Sequence, residues 1–147
     1  MTLEGRTMGD ENEGQMSIAS EGDLVAARKT ARTLAAQSGF GITDTTRIVT
    51  ATSELARNIL THAGAGLMKW KALDTGAVMG IELIFEDHGL GIPDVELAMQ
   101  EGFSTGDGLG MGLPGSKRLM DQMEIVSEVG KGTTVIVRKF RKKRLHN

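Results

Sequence analysis

Apolar residues in the first half of the chain recur at spacings of three and four, the period of an amphipathic helix. One stripe begins after Glu21 and stops at Gly39-Phe40-Gly41, and its members are Leu24, Ala27, Ala31, Leu34 and Ala35. A second stripe follows, made of Ile48, Ala51, Leu55 and Ile59. It predicts a helix that Thr43 or Asp44 caps and that Gly64 and Gly66 close.

Later in the chain the pattern changes to the alternation that is typical of strands. Segments 67–73 and 78–85 flank a turn at Asp74-Thr75-Gly76, and segments 125–129 and 133–138 flank Gly130-Lys131-Gly132. Residues 15–20 are compatible with a short edge strand, residues 93–100 with a short helix, and residues 117–123 with another helix. Helices followed by strands, without strict alternation, predict an α+β fold built as a two-layer sandwich.

The composition favours one domain in a reducing compartment. The chain has 147 residues, no cysteine, one Trp, four Phe and no Tyr, which excludes disulfides and argues against single-stranded nucleic-acid binding by aromatic stacking. We expect a disordered acidic extension over residues 1–20, the domain over 21–140, and a basic tail over 141–147. With no bilayer-length apolar run and no signal-peptide pattern, we expect a cytoplasmic protein without nucleic-acid or membrane partners.

Basic residues crowd the C-terminus, at Arg138, Lys139 and positions 141–144. Such a run can meet nucleic acid, anionic lipid or an acidic partner. It can also be the solvated end of the last strand, where charge blunts the sheet edge. We favour the second interpretation.

Three motifs whose residues suit ligand binding or catalysis follow one another: Glu54-Leu-Ala-Arg-Asn58, Asp87-His-Gly-Leu-Gly91 and the glycine-rich run 106–112. Glu54 and Asn58 share a helix face one residue off the apolar stripe, where a pocket against the sheet can open. Asp87 ends an apolar strand beside two glycines that allow close backbone approach. The third run can offer backbone N–H groups to phosphates. Each motif alone has an ordinary structural explanation, but their order and spacing predict a nucleotide site.

These motifs resemble those of the GHKL (Bergerat-fold) ATPases and, within that superfamily, the RsbT-type serine/threonine kinases of bacterial stress signalling. The resemblance extends from about residue 21 to residue 140. It rests on Glu54–Ile59, Glu86–Pro93, Gly102–Thr105, Gly108–Gly115 and Lys117–Asp121. It implies the Bergerat type of two-layer sandwich, with ATP and Mg²⁺ as its ligands.

The resemblance also implies roles for single residues. Glu54 orients or deprotonates the attacking hydroxyl or water, and Asn58 holds the magnesium beside the nucleotide. Asp87 accepts from the exocyclic amine of adenine. The resemblance makes the glycine-rich run 106–112 a mobile lid whose glycines cradle the phosphates. The remaining expected nucleotide contacts are Gly89, Gly91, Gly108, Leu109, Gly110, Met111, Gly112 and Thr133. His62 either contacts a phosphate or caps its helix.

The implied function is a serine/threonine-protein kinase that phosphorylates a STAS-domain antagonist and, once released, binds and activates a PP2C-type phosphatase. The alternative is an anti-sigma factor or pseudokinase that binds a sigma factor in an ATP-dependent manner without phosphotransfer. Glu54 and Asn58 favour catalysis, whereas the carboxylate of Asp107 in the lid would repel phosphates. A histidine kinase would need a phosphoacceptor on a dimerising hairpin, and a gyrase-type ATPase a transducer domain; neither fits this chain.

Overall fold

The computed structural model describes residues 12–100 and 112–143. Within them the elements are β1 (Glu13–Ile18), α1 (Glu21–Gln37), α2 (Ile42–Ala63), β2 (Gly66–Asp74), β3 (Val78–Asp87), α3 (Val95–Ala98), α4 (Leu113–Leu119), β4 (Gln122–Glu128) and β5 (Gly132–Lys142). The strands form one antiparallel sheet in the order β1-β2-β3-β5-β4. No helix in these ranges is both long and apolar enough to cross a membrane.

Helices α1 and α2 cover one face of the sheet. Every member of the two predicted stripes is buried, because both helices turn their apolar faces towards the strands. In β3 the alternate residues Ile81, Leu83 and Phe85 are buried against them, while the residues between point to the other face. This two-layer arrangement confirms the predicted α+β sandwich.

The ordered sheet begins before the domain boundary that the sequence predicts. Strand β1 pairs with β2 from Glu13 to Ile18, so the extension expected over residues 1–20 overlaps an edge strand. Residues 1–11 lie outside the described residues. At the other end β5 continues to Lys142, into the stretch predicted as a tail.

The predicted cap of α2 is wrong. The helix begins at Ile42 after Gly41, which makes no side-chain cap hydrogen bond. The carboxylate of Asp44 instead accepts from Arg47 at 2.9 Å. Its side chain is therefore engaged in an ion pair one turn further on, rather than with the N–H groups of the helix start.

The helix predicted through Met123 is also wrong in its extent. Helix α4 ends at Leu119, and β4 begins three residues later at Gln122. Met123 and Ile125 pack into the core opposite Val137 and Val135 of β5. Pairing with β5 thus overrides the helical spacing of the methionines.

Several side chains of the basic C-terminal run contact other elements of the fold. Arg138 contacts Glu82 at 2.7 Å and Glu124 at 2.6 Å. The hydrogen bonds that it donates to Glu124 and then to Glu82 hold the pKa of Arg138 above its ordinary value. The guanidinium of Arg141 donates to the carbonyl of Ser38 at 2.8 Å. These charges serve packing between elements instead of forming one open basic surface.

Lys139 is the buried member of that run, only 6% exposed. Its ammonium lies 3.5 Å from Asp121 and 3.8 Å from Asp44. Asp121 in turn accepts from the backbone N–H of Phe140 at 2.7 Å. One carboxylate therefore ties the α4–β4 connection to β5 and compensates a buried charge.

We expect Asp121→Ala to lower the free energy of unfolding by about 2–3 kcal/mol, because the buried ammonium of Lys139 and the N–H of Phe140 each lose an acceptor. Urea denaturation followed by circular dichroism measures the change. Lys131→Ala is the matched control, since its pair with Glu128 is exposed on both sides and should contribute less than about 0.5 kcal/mol. Equal losses in the two variants would contradict the assignment.

Candidate functional site

A cavity of about 420 Å³ opens between the second half of α2 and the ends of β3 and β5. Its size lies within the range of roughly 300–1,000 Å³ that is typical of small-molecule sites. Most of its described lining is apolar, with a few polar side chains. The lining consists of Leu55, Asn58, Ile59, His62, Phe85, Asp87, Leu90, Gly91, Ile92, Pro93, Leu113, Val129, Gly130, Thr133 and Val135.

Helix α2 forms one wall. Leu55 and Ile59 belong to its buried stripe, and Asn58 and His62 follow beside them on the rim of the same face. The polar row is thus offset by one residue from the apolar stripe, as predicted, and both rows face the cavity. Helix α2 therefore supplies an apolar wall of the cavity together with two of its polar side chains.

Glu54 lies one turn before Asn58 and is exposed, outside the described cavity lining. Its carboxylate packs against Gly112, where α4 begins: a Cβ on Gly112 would come within 2.6 Å of the Glu54 Oε2, and the φ angle of this glycine is +78°. Glycine at residue 112 thus lets the chain pass close to the Glu54 carboxylate.

Asp87 and Thr133 face the cavity from the sheet. They are paired in the register of β3 and β5. The Oδ1 atom of Asp87 accepts from the N–H of Gly89 at 2.9 Å and from the N–H of Thr133 at 3.3 Å. Both bonds use one oxygen, so within the described residues Oδ2 retains its acceptor capacity.

The loop between β3 and α3 is held close to its neighbours by two glycines. A Cβ on Gly89 would lie 2.8 Å from the carbonyl oxygen of His62, and one on Gly91, where φ is +81°, would run into the carbonyl of Glu128. The N–H of Gly130 donates to the carbonyl of Leu90 at 2.8 Å. The loop is therefore fixed between the end of α2 and the β4–β5 turn.

The residues present fit a nucleotide with a magnesium ion. The apolar lining suits the faces of a flat base, and the Asp87 carboxylate can accept a hydrogen bond from the edge of that base. The Nε2 atom of His62 is buried without a hydrogen-bond partner in the described part of the chain, as expected of a group that meets a ligand. The side chain of Asn58 carries the kind of oxygen that Mg²⁺ prefers, and phosphates can supply the others.

The structure brings Asn58, His62, Asp87, Gly91 and Thr133 around one cavity, as the motifs predict, with Gly89 and Gly112 beside it. Gly108, Leu109, Gly110 and Met111 lie outside the described residues. The sequence reasoning missed the lining residues Ile92, Leu113 and Val135, although their apolar character in or beside the motifs was a usable signal.

The comparisons with known sequences agree with the geometry. Residues 43–144 match the family described as histidine kinase-, DNA gyrase B-, and HSP90-like ATPases. The serine/threonine-protein kinase RsbT of Bacillus subtilis is 48% identical over 118 residues, which cover 80% of this chain and 89% of that protein. An anti-sigma F factor of Thermoanaerobacter is 37% identical over 120 residues, with 78% and 82% covered.

Solved structures show the same fold at low sequence identity. The RsbU and RsbW domains of a Mycobacterium tuberculosis protein match with a TM-score of 0.60 and 19% identity, covering 90% of this chain and 33% of that one. The mycobacterial sensor histidine kinase MprB matches with a TM-score of 0.54 and 14% identity, covering 90% and 99%.

We expect Asp87→Asn to weaken ATP binding by roughly tenfold or more, because a charged acceptor for an amine is replaced by a neutral amide. Isothermal titration with Mg-ATP measures the loss. Glu86→Gln is the neighbouring control: Glu86 pairs with Lys69 at 2.9 Å on the opposite face of the sheet, so its affinity should stay within twofold or so of the wild type. Unchanged affinity in the Asp87 variant would remove this residue from base recognition.

Proposed function

This chain belongs to the family of histidine kinase-, DNA gyrase B-, and HSP90-like ATPases and is an RsbT-like serine/threonine-protein kinase; we propose that it transfers the γ-phosphoryl of ATP to a serine or threonine of a STAS-domain antagonist. Once released by that phosphorylation, the kinase binds and activates a PP2C-type phosphatase. The protein is then a switch between two partners as well as an enzyme. The membership confirms the resemblance that the motifs indicate.

The observation that carries the proposal is the division of α2 between a sheltered and an exposed group. Asn58 lines the cavity, whereas Glu54, one turn away, is open to solvent. A nucleotide needs shelter for its base, but a protein substrate has to bring its hydroxyl from outside. Such a substrate requires a proton acceptor that lies beside the cavity and is accessible from solvent, as the Glu54 carboxylate is.

The transfer itself assigns one task to each group. The hydroxyl oxygen of the substrate attacks the γ-phosphorus, the bond from that phosphorus to the β–γ bridging oxygen breaks, and ADP leaves. Glu54 orients the hydroxyl and takes its proton. Asp87 and Thr133 hold the adenine edge, and His62 faces the nucleotide. Phosphoryl transfer needs mainly positioning and charge stabilisation, which a small domain can supply.

Magnesium, when bound with ATP, neutralises phosphate charge during the transfer. Asn58 would hold it through the amide oxygen of its side chain. Gly112, with the glycines before it in the sequence, would offer backbone N–H groups to the phosphates.

A second candidate function rests on the anti-sigma F relatives, which are similar over most of this chain. In that case the protein would bind a sigma factor in an ATP-dependent manner and transfer no phosphoryl group. The two functions differ in one measurable product, a phosphorylated partner.

The deciding experiment is phosphosite mass spectrometry on the purified protein with Mg-ATP and the STAS-domain protein encoded nearest to it. We expect one new phosphoserine or phosphothreonine on the partner. Glu54→Ala should lower its rate of formation by roughly a hundredfold or more, since the general base is lost, while ATP binding persists. Glu96→Gln, an exposed carboxylate on α3, is the control and should transfer normally. Bound ATP without transfer in the wild type would favour the anti-sigma alternative.

Asn58→Ala should abolish magnesium-dependent transfer while the fold remains intact, because the protein oxygen that holds the metal is lost. Titration of the transfer rate with Mg²⁺, beside a thermal melt, measures both. Asn58→Asp keeps an oxygen at that place and should restore part of the rate. Normal phosphorylation by the alanine variant would show that the metal is held elsewhere.

A further inference from the structure

Ser127 lies directly behind the cavity wall. It belongs to β4 and pairs with Thr133 in the register of β4 and β5. Thr133 lines the cavity, whereas Ser127 is absent from its described lining. Any effect of Ser127 on a bound molecule therefore has to pass through a neighbour.

The hydroxyl of Ser127 makes three contacts. It accepts from the N–H of Ile92 at 2.7 Å. It lies 3.2 Å from the carbonyl oxygen of Gly132 and 2.9 Å from the Oγ1 atom of Thr133. Two of the three partners are fixed in character, because an N–H only donates and a carbonyl only accepts.

Only one placement of protons satisfies all three contacts. A hydroxyl has one proton and two lone pairs. The proton of Ser127 goes to the carbonyl of Gly132, and one lone pair takes the N–H of Ile92. The contact with Thr133 then has to use the second lone pair, so the proton of Thr133 points to Ser127. The oxygen of Thr133 is left with lone pairs alone for the cavity.

The wall formed by Asp87 and Thr133 consequently presents acceptors only. Asp87 is a carboxylate whose Oδ1 already takes two backbone N–H groups. An exocyclic amine has two N–H groups to give to such a wall, whereas a carbonyl at the same place of the base has none and is repelled.

We propose that Ser127 is a positioning residue for base selection: it fixes the Thr133 hydroxyl as an acceptor and thereby makes the cavity prefer a purine with an exocyclic amine. This inference rests on the proposed ATP site. It adds a residue that touches neither the base nor the phosphates. Because Ser127 also holds the N–H of Ile92, its role in selection has to be separated from a role in holding the loop.

The test compares the binding of ATP with that of inosine 5′-triphosphate, in which a carbonyl replaces the amine and the neighbouring N1 carries a proton. Because the N1 difference is present in every variant, the change of the affinity ratio on mutation is the quantity that reports on the group opposite the amine. In Ser127→Ala the Thr133 hydroxyl can rotate and donate to that carbonyl. We expect the ratio of the affinity for ATP to the affinity for inosine 5′-triphosphate to fall by roughly fivefold to tenfold, which corresponds to about one hydrogen bond. Fluorescence displacement measures both ligands on the same sample, and a melt verifies that the variant is folded.

Two further variants make the result specific. Ser127→Thr keeps the hydroxyl and should keep the wild-type ratio. In a Thr133→Val background the same Ser127→Ala change should leave the ratio unaltered, because the group through which it acts is gone.

The outcomes separate this inference from the function on which it rests. A Ser127→Ala protein that loses affinity for both triphosphates equally, with the wild-type ratio, overturns the selection role and leaves a loop contact. A change of ratio that persists in the Thr133→Val background overturns it as well. A wild-type protein that binds neither triphosphate contradicts the proposed function and overturns this inference with it.

Discussion

The antiparallel pairing of β3 with β5 sets which residues of the central strands face the helices, and with them one wall of the cavity. Its register places Phe85 opposite Val135 and Leu83 opposite Val137, so both strands turn the same alternate residues towards the helices. Asp87 and Thr133 end this series as the next pair on the same face. A slip by one residue would turn the core and these two cavity-lining groups to solvent together. Burial of the core therefore also fixes the site.

Helix α2 also serves both the core and the site, from the opposite side of the cavity. Its apolar stripe anchors it on the sheet, and Asn58, one position before the buried Ile59, is carried to the cavity by that packing. Successive helical residues are about 100° apart, so a neighbour of a buried residue lies at the rim of the buried face. The exposed Glu54 faces outwards at the same rim. The anchoring of the helix, the position of Asn58 at the cavity and the exposure of Glu54 thus depend on the angular order of residues on one helix.

The periodic parts of the fold could be predicted because their signal is local. The two helical stripes, the edge strand and the turn at Asp74-Thr75-Gly76 all appear in the structure close to their predicted positions. The segment from Met120 to Met123 could not, since its methionines fit a helix equally well and only pairing with β5 makes β4 a strand. The basic run predicts a solvated Lys139, yet Asp121 and Asp44, distant in sequence, make its burial possible.

The fold class, the family and the kinds of groups that gather at the site all follow from the amino-acid sequence alone, because periodicity and short motifs are properties of neighbouring residues. Only the packed fold shows which of those groups share one cavity, which basic side chains form ion pairs, and that the hydroxyls of Ser127 and Thr133 lie 2.9 Å apart. A hydrogen bond or a buried charge depends on its partners, and several of those partners stand far away in the chain, as Asp44 does from Lys139 and Glu82 from Arg138.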